Sequence, residues 1–204
     1  MMYSKPYKKA LLLSYFTVGY NILEGIASIF AGSSAGSIAL LGFGLDSFVE
    51  SFSGCIMIWR FRKHGKLSEL EEEKIERRAA KLVAYSFFVL GVYVLYESVK
   101  KLYLHEAVNP SILGIIIAVI SLIAMPVLFY LKYKTGKSMN SKSLIADSKQ
   151  TLTCMFMSAA LLIGLGLNYL YGFWQADPIA GLVIVIFLLR EGYETLKEEK
   201  LCDC

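Results

Sequence analysis

The amino-acid sequence predicts an all-α integral membrane protein, a bundle of six transmembrane helices with both termini cytoplasmic. Of its 204 residues 56% are hydrophobic and 19% charged. The charges collect between apolar stretches of membrane-spanning length, where a soluble domain of this size would interleave them. Six such stretches follow one another, each near the ~20 residues that a bilayer requires. Lysine and arginine crowd into alternate connections, which orients the set.

The spans are drawn at about residues 10–31, 36–60, 80–103, 110–131, 143–169 and 177–195, one domain over 1–204 with no soluble carboxy-terminal domain. The first follows Lys8 and Lys9; it is too long for the apolar core of a signal peptide, and no cleavage site follows it. A short uncharged turn, 32–36, leads to the second. Before the third lies the charged segment 60–81, in which residues 68–81, with opposite charges at helical spacing such as Glu73 with Arg77, predict a solvated helix rather than an acidic metal cluster. Near the end of span three, Glu97 reads as an interfacial acid paired with Lys100 or Lys101. Asn109-Pro110 and Asp177-Pro178 share one form, a cap residue followed by proline at the first helical position, and open spans four and six. Pro126 predicts a kink near the cytoplasmic end of span four, because proline removes a backbone donor. Segment 132–142 reads as a basic loop, and Tyr169, Tyr171, Phe173 and Trp174 as an interfacial aromatic belt.

The amino terminus holds Lys5, Lys8 and Lys9; the second connection holds Arg60, Arg62, Lys63, Lys66, Lys74, Arg77, Arg78 and Lys81; the fourth holds Lys132, Lys134, Lys137 and Lys142. The other three hold only Lys100 and Lys101. The formal charge of +4 is therefore a topology signal, not a nucleic-acid footprint. Cys55 and Cys154 lie in spans and Cys202 and Cys204 in the tail, a pattern without a disulfide framework. Cys202-Asp203-Cys204 supplies too few ligands for a strong metal site, and His64 and His105 lie in or beside connections. A Ser-His-Asp set, a phosphate-binding glycine loop and a zincin motif are all lacking, so an enzyme is not expected.

The polar residues inside the spans carry the chemistry. Residues 37–50 read Ser-Ile-Ala-Leu-Leu-Gly-Phe-Gly-Leu-Asp-Ser-Phe-Val-Glu, so Asp46 and Glu50 share one helix face, with Asp46 near the bilayer midplane at ~1.5 Å per residue. An acid at that depth costs roughly 2.5 to 3.5 kcal/mol and is kept where it pairs, lines a cavity or binds an ion. Residues 141–154, Ser-Lys-Ser-Leu-Ile-Ala-Asp-Ser-Lys-Gln-Thr-Leu-Thr-Cys, repeat the pattern, setting Gln150 under Asp46 and Cys154 under Glu50. Asp46, Glu50, Gln150 and Cys154 thus form one candidate cation site on two helices. If the two spans run antiparallel, Asp46 faces Cys154 and Glu50 faces Gln150. Asp147, one turn before Gln150, is read first as a structural hydrogen-bonding residue and second as a ligand. Glu24 in span one, near Asn21, is read first as bonded to a neighbouring helix and second as part of an ion path.

Ser37-x-Ala39-Leu40-Leu41 leading to Asp46-Ser47-x-x-Glu50, then Ser141-x-Ser143-Leu144-Ile145-Ala146-Asp147 leading to Gln150 and Cys154, and Asp177-Pro178-Ile179-Ala180 resemble the cation diffusion facilitator (cation efflux) family of divalent-metal transporters. The resemblance runs over nearly the whole transmembrane domain. It implies that the four positions bind the transported ion and that protons taken up on the opposite side drive export. Members usually place His or Asp followed four residues later by Asp on each helix. Here Glu50 is a longer acid, and span five offers an amide and a thiol.

The expected protein is a multi-pass transporter of the cell membrane exporting a divalent metal, with zinc, manganese or iron open, in exchange for protons. No cofactor is expected, and a homodimer is left open. The alternative is a non-transporting metal-binding or regulatory membrane protein of the same fold, and a third reading is a proton-linked transporter for another solute.

Overall fold

The computed structural model describes residues 5–63, 69–139 and 141–201. They form six helices, α1 (Lys5–Ala35), α2 (Ile38–Lys63), α3 (Glu69–Leu104), α4 (Ile112–Met139), α5 (Lys142–Tyr171) and α6 (Ala176–Leu201), and no strand. By length and composition, α1 to α5 each contain a stretch able to cross a membrane. In α6, Asp177 at one end and Arg190, Glu191 and Glu194 toward the other leave only a short uncharged run between them.

The polarity is that of a bundle in lipid. Leu23, Phe30, Val89, Tyr103 and Leu170 point outward, 67% to 82% exposed, while Asn21, Ser28, Asp46, Ser47, Glu50 and Ser158 are buried. Water would reverse that distribution; a hydrocarbon solvent permits it.

Two helical hairpins are built alike. At the first, Gly36 takes the left-handed conformation (φ 67°), the Ser37 N–H donates to Gly32 C=O at 2.9 Å, and the Ser37 hydroxyl accepts the Leu40 N–H at 3.0 Å. At the second, the Ser141 N–H donates to Gly136 C=O at 3.0 Å and its hydroxyl accepts the Leu144 N–H at 3.4 Å. A Cβ on Gly32 would lie 3.0 Å from the Leu41 nitrogen, and one on Gly136 would lie 3.1 Å from the Ile145 nitrogen. One constant shift along the chain relates all four pairs: Gly32 to Gly136, Ser37 to Ser141, Leu40 to Leu144 and Leu41 to Ile145. The sequence repeat at 37–50 and 141–154 is thus the visible part of a repeated hairpin.

Packing follows the repeat. The hairpin α1–α2 answers α4–α5, α3 lies along α6, and the two units meet through α1 with α4 and α2 with α5. Three helices per unit is an odd number, so the second unit runs opposite to the first and α2 is antiparallel to α5. Gly25 and Gly44 let α1 and α2 nearly touch: a Cβ on either would stand 3.0 to 3.1 Å from the other's carbonyl oxygen.

Several connections differ from the sequence expectation. Residues 132–139 are not a loop: α4 continues to Met139, Lys132 is wholly buried, and the reversal occurs only around Ser141. Pro126 lies in the middle of α4, with the helix continuing well beyond it. The cap of α4 is Ser111, whose hydroxyl accepts the Gly114 N–H at 3.1 Å, while the Asn109 N–H donates to Ala35 C=O at 2.9 Å. Asp177 lies inside the first turn of α6 and directs its carboxylate at α2, accepting from the Ser37 hydroxyl and, at 3.0 Å, from the Ile38 N–H. Its charge meets the positive end of a neighbouring helix.

Other expectations hold. From Glu69 onward the charged segment is helical and continuous with span three in α3, its Glu71, Lys74 and Arg78 exposed. The Glu73 side chain, and so its pairing with Arg77, lies outside the described residues, as do His64, Cys202 and Cys204. Glu97 pairs with Lys100 at 3.3 Å, and Tyr169, Tyr171 and Phe173 are exposed around the α5–α6 turn.

Candidate cation site

Antiparallel α2 and α5, braced by α1 and α4, bring most of the expected residues into the interior. Asp46 is 3% exposed, Glu50 1%, Cys154 1%, Asp147 5% and Glu24 6%. Gln150 is half-buried, with its amide nitrogen enclosed and unpartnered.

Glu50 is the residue through which the helices meet. Its Oε1 accepts the Thr151 hydroxyl at 2.8 Å, and its Oε2 is buried without a hydrogen-bond partner. The Cys154 thiol, one turn further along α5, faces the same carboxylate. Counting along antiparallel helices set Glu50 opposite Gln150; its hydrogen bond goes instead to the next residue, Thr151, one position round the helix. Asp46, a turn away on α2, lies in the electrostatic field of Glu50, Glu191 and Glu24. A thiol and an unsatisfied carboxylate oxygen in a buried interior suit a soft or borderline divalent cation. Among the described residues no three Asp, Glu, Cys or His side chains converge closely enough to enclose a metal, so the expected four do not form a closed ligand sphere in this conformation.

Glu24 ties α1 to α2: Oε1 accepts the Tyr20 hydroxyl at 2.9 Å, and Oε2 accepts the Ser47 hydroxyl at 3.0 Å. Asp147 pairs through Oδ2 with the Lys132 ammonium at 2.9 Å, leaving Oδ1 unpartnered. The same ammonium donates to Thr151 at 2.9 Å. Lys132 is the only buried lysine or arginine among the described residues, set against buried Glu24, Asp46, Glu50, Asp147 and Glu191.

Sequence reasoning passed over three of these residues. Lys132 was placed in a loop, yet matching Gly136 and Ser141 to Gly32 and Ser37 would have kept it in helix. Thr151 was overshadowed by the pattern of four-residue spacing. Asn21 reads in sequence only as polar; its side chain is fully buried and faces the Glu50 carboxylate.

Residues 14–201 match the family model of the cation efflux transmembrane domain. The chain belongs to the cation efflux family. It is 22% identical over 194 residues to transmembrane protein 163 of Xenopus laevis, covering 94% of this chain and 67% of that protein. It is 24% identical over 196 residues to the cadmium, cobalt and zinc/H(+)-K(+) antiporter of Bacillus velezensis, covering 94% and 61%. To the cation-efflux pump FieF of Shewanella oneidensis it is 24% identical over 164 residues, 78% and 55% of the two chains. The chain thus spans between about half and two thirds of the length of these relatives.

Proposed function

We propose that this cation efflux protein exports a divalent metal cation across the cell membrane in exchange for protons, with both termini in the cytoplasm. Asp46, Glu50, Gln150 and Cys154 are the ligands during passage, and Asn21 adds a neutral oxygen from α1. The observation that carries this reading is the buried Glu50 carboxylate between antiparallel α2 and α5, its Oε2 without a hydrogen-bond partner and the Cys154 thiol facing the group. A buried acceptor without a donor is costly unless an ion or proton visits it. Proton exchange follows from the chemistry, because a carboxylate that binds a metal must give up its proton. The relatives named for cadmium, cobalt and zinc support a borderline or soft cation, as the thiol does.

Asp147 is assigned a structural role, since Lys132 already holds one of its oxygens. Glu24, with both oxygens hydrogen-bonded, is a bridge between helices. The test is flux in proteoliposomes of zinc, cadmium, cobalt, manganese and iron against an imposed pH gradient. Export of at least one metal with counter-movement of protons is expected. Metal binding without any flux would favour the regulatory reading, in which Gln150 and Cys154 hold an ion that does not move.

A further inference from the structure

Resting on the transport reading above, we propose that Lys132 positions Glu50 through Thr151 and so sets how tightly the transported cation is held. Four residues on three helices form a line. Asp147 Oδ2 binds the Lys132 ammonium at 2.9 Å, the ammonium donates to Thr151 Oγ1 at 2.9 Å, and Thr151 Oγ1 donates to Glu50 Oε1 at 2.8 Å. Lys132 is 0% exposed. Its only route to a satisfied charge therefore lies in protein acceptors.

The direction of each bond follows. A threonine hydroxyl has a single proton. With Lys132 donating to its lone pair, that proton turns away from the ammonium, and the carboxylate of Glu50 receives it at a shorter distance than the alternative acceptor, Asp147 C=O at 3.2 Å. Asp147 and Thr151 are four apart on α5 and thus on one face, where a single ammonium reaches both. The tight α4–α5 turn, where a Cβ on Gly136 would lie 3.1 Å from the Ile145 nitrogen, brings the two helices close enough for that reach. In consequence one oxygen of Glu50 is held toward α5, with a positive charge behind it.

A divalent cation bound at the free Oε2 of Glu50 competes with the Thr151 hydroxyl and the Lys132 ammonium for the charge of the same carboxylate, and it meets the repulsion of Lys132 as it binds. Lys132 and Thr151 are positioning residues: they keep the site weak enough to release its ion.

The experiment is equilibrium binding of cadmium to the full chain in detergent, with cadmium flux in proteoliposomes. Thr151→Val removes the hydroxyl and leaves the ion pair; it is expected to bind cadmium on the order of tenfold more tightly, the worth of one hydrogen bond to a charged group, and to release it more slowly. Thr151→Ser restores the donor and should return the affinity toward wild type. The double variant Lys132→Met with Asp147→Asn removes the pair without leaving a lone buried acid, and it should also bind more tightly. A merely damaged fold would bind less, so the direction is diagnostic. If wild type binds cadmium while Thr151→Val and the double variant bind equally or more weakly, the positioning role is overturned and the transport reading stands. If wild type binds and moves no divalent cation, both are overturned.

Discussion

The carboxylate of Asp177, at the start of α6, accepts the backbone N–H of Ile38, at the start of α2, at 3.0 Å. The helix that carries Asp46 and Glu50 is therefore capped in part by a residue 139 positions away in the chain, besides its own Ser37. Asp177→Ala should lower stability by about 1 to 2 kcal/mol, as loss of a charged cap does. Thermal unfolding in detergent measures it. An unchanged midpoint would mean that Ser37 alone suffices to cap α2.

The α1–α2 interface gives a second, sterically defined expectation. A methyl on Gly44 would lie 2.9 Å from Ser28 Cβ and 3.1 Å from Gly25 C=O, whereas one on Gly19 meets nothing within 4 Å. Gly44→Ala should destabilise by about 1 to 3 kcal/mol, the usual range for overpacking. Gly19→Ala should be neutral or slightly stabilising, since alanine is the better helix former. Equal midpoints for the two variants would contradict the close approach.

These contacts also show what the sequence could and could not reveal. The hairpin repeat was legible because Ser37 and Ser141 do the same local work, and local capping is written in short motifs. Asp177 was misread as a cap of its own helix because its true partner, Ile38, is set by tertiary packing. Lys132 was misread for a related reason: a lysine near an apolar run signals a membrane boundary unless a buried acid answers it, and Asp147 lies on another helix. The four residues stand out as candidates because i and i+4 spacing is written in the sequence, but the Glu50–Thr151 bond depends on the relative rotation of α2 and α5, which spacing does not encode.

Orientation is testable by labelling. In a background with Cys55, Cys202 and Cys204 replaced by serine, Lys137→Cys should be shielded from an impermeant thiol reagent added to intact cells, and Tyr171→Cys should react. Each residue lies at an opposite end of α5's neighbourhood, Lys137 in the last turn of α4 and Tyr171 at the far end of α5. The reverse labelling pattern would place the termini outside.

The site itself predicts different consequences for its acids and its thiol. Asp46→Asn and Glu50→Gln keep size while removing a charge and a titratable group, so each should abolish metal-driven proton movement. In wild type, metal affinity should fall as the pH is lowered, because protons and metal compete for the same carboxylates. Cys154→Ser leaves both acids and removes the soft ligand, so it should weaken cadmium and zinc relative to manganese by on the order of tenfold. Competition binding across these three metals reads the ratio directly. Full flux in a folded Asp46→Asn protein would remove the carboxylate site. Unaltered metal preference in Cys154→Ser would mean that the thiol facing Glu50 is packing rather than a ligand, and Asp147, freed of Lys132, would be the next oxygen to test.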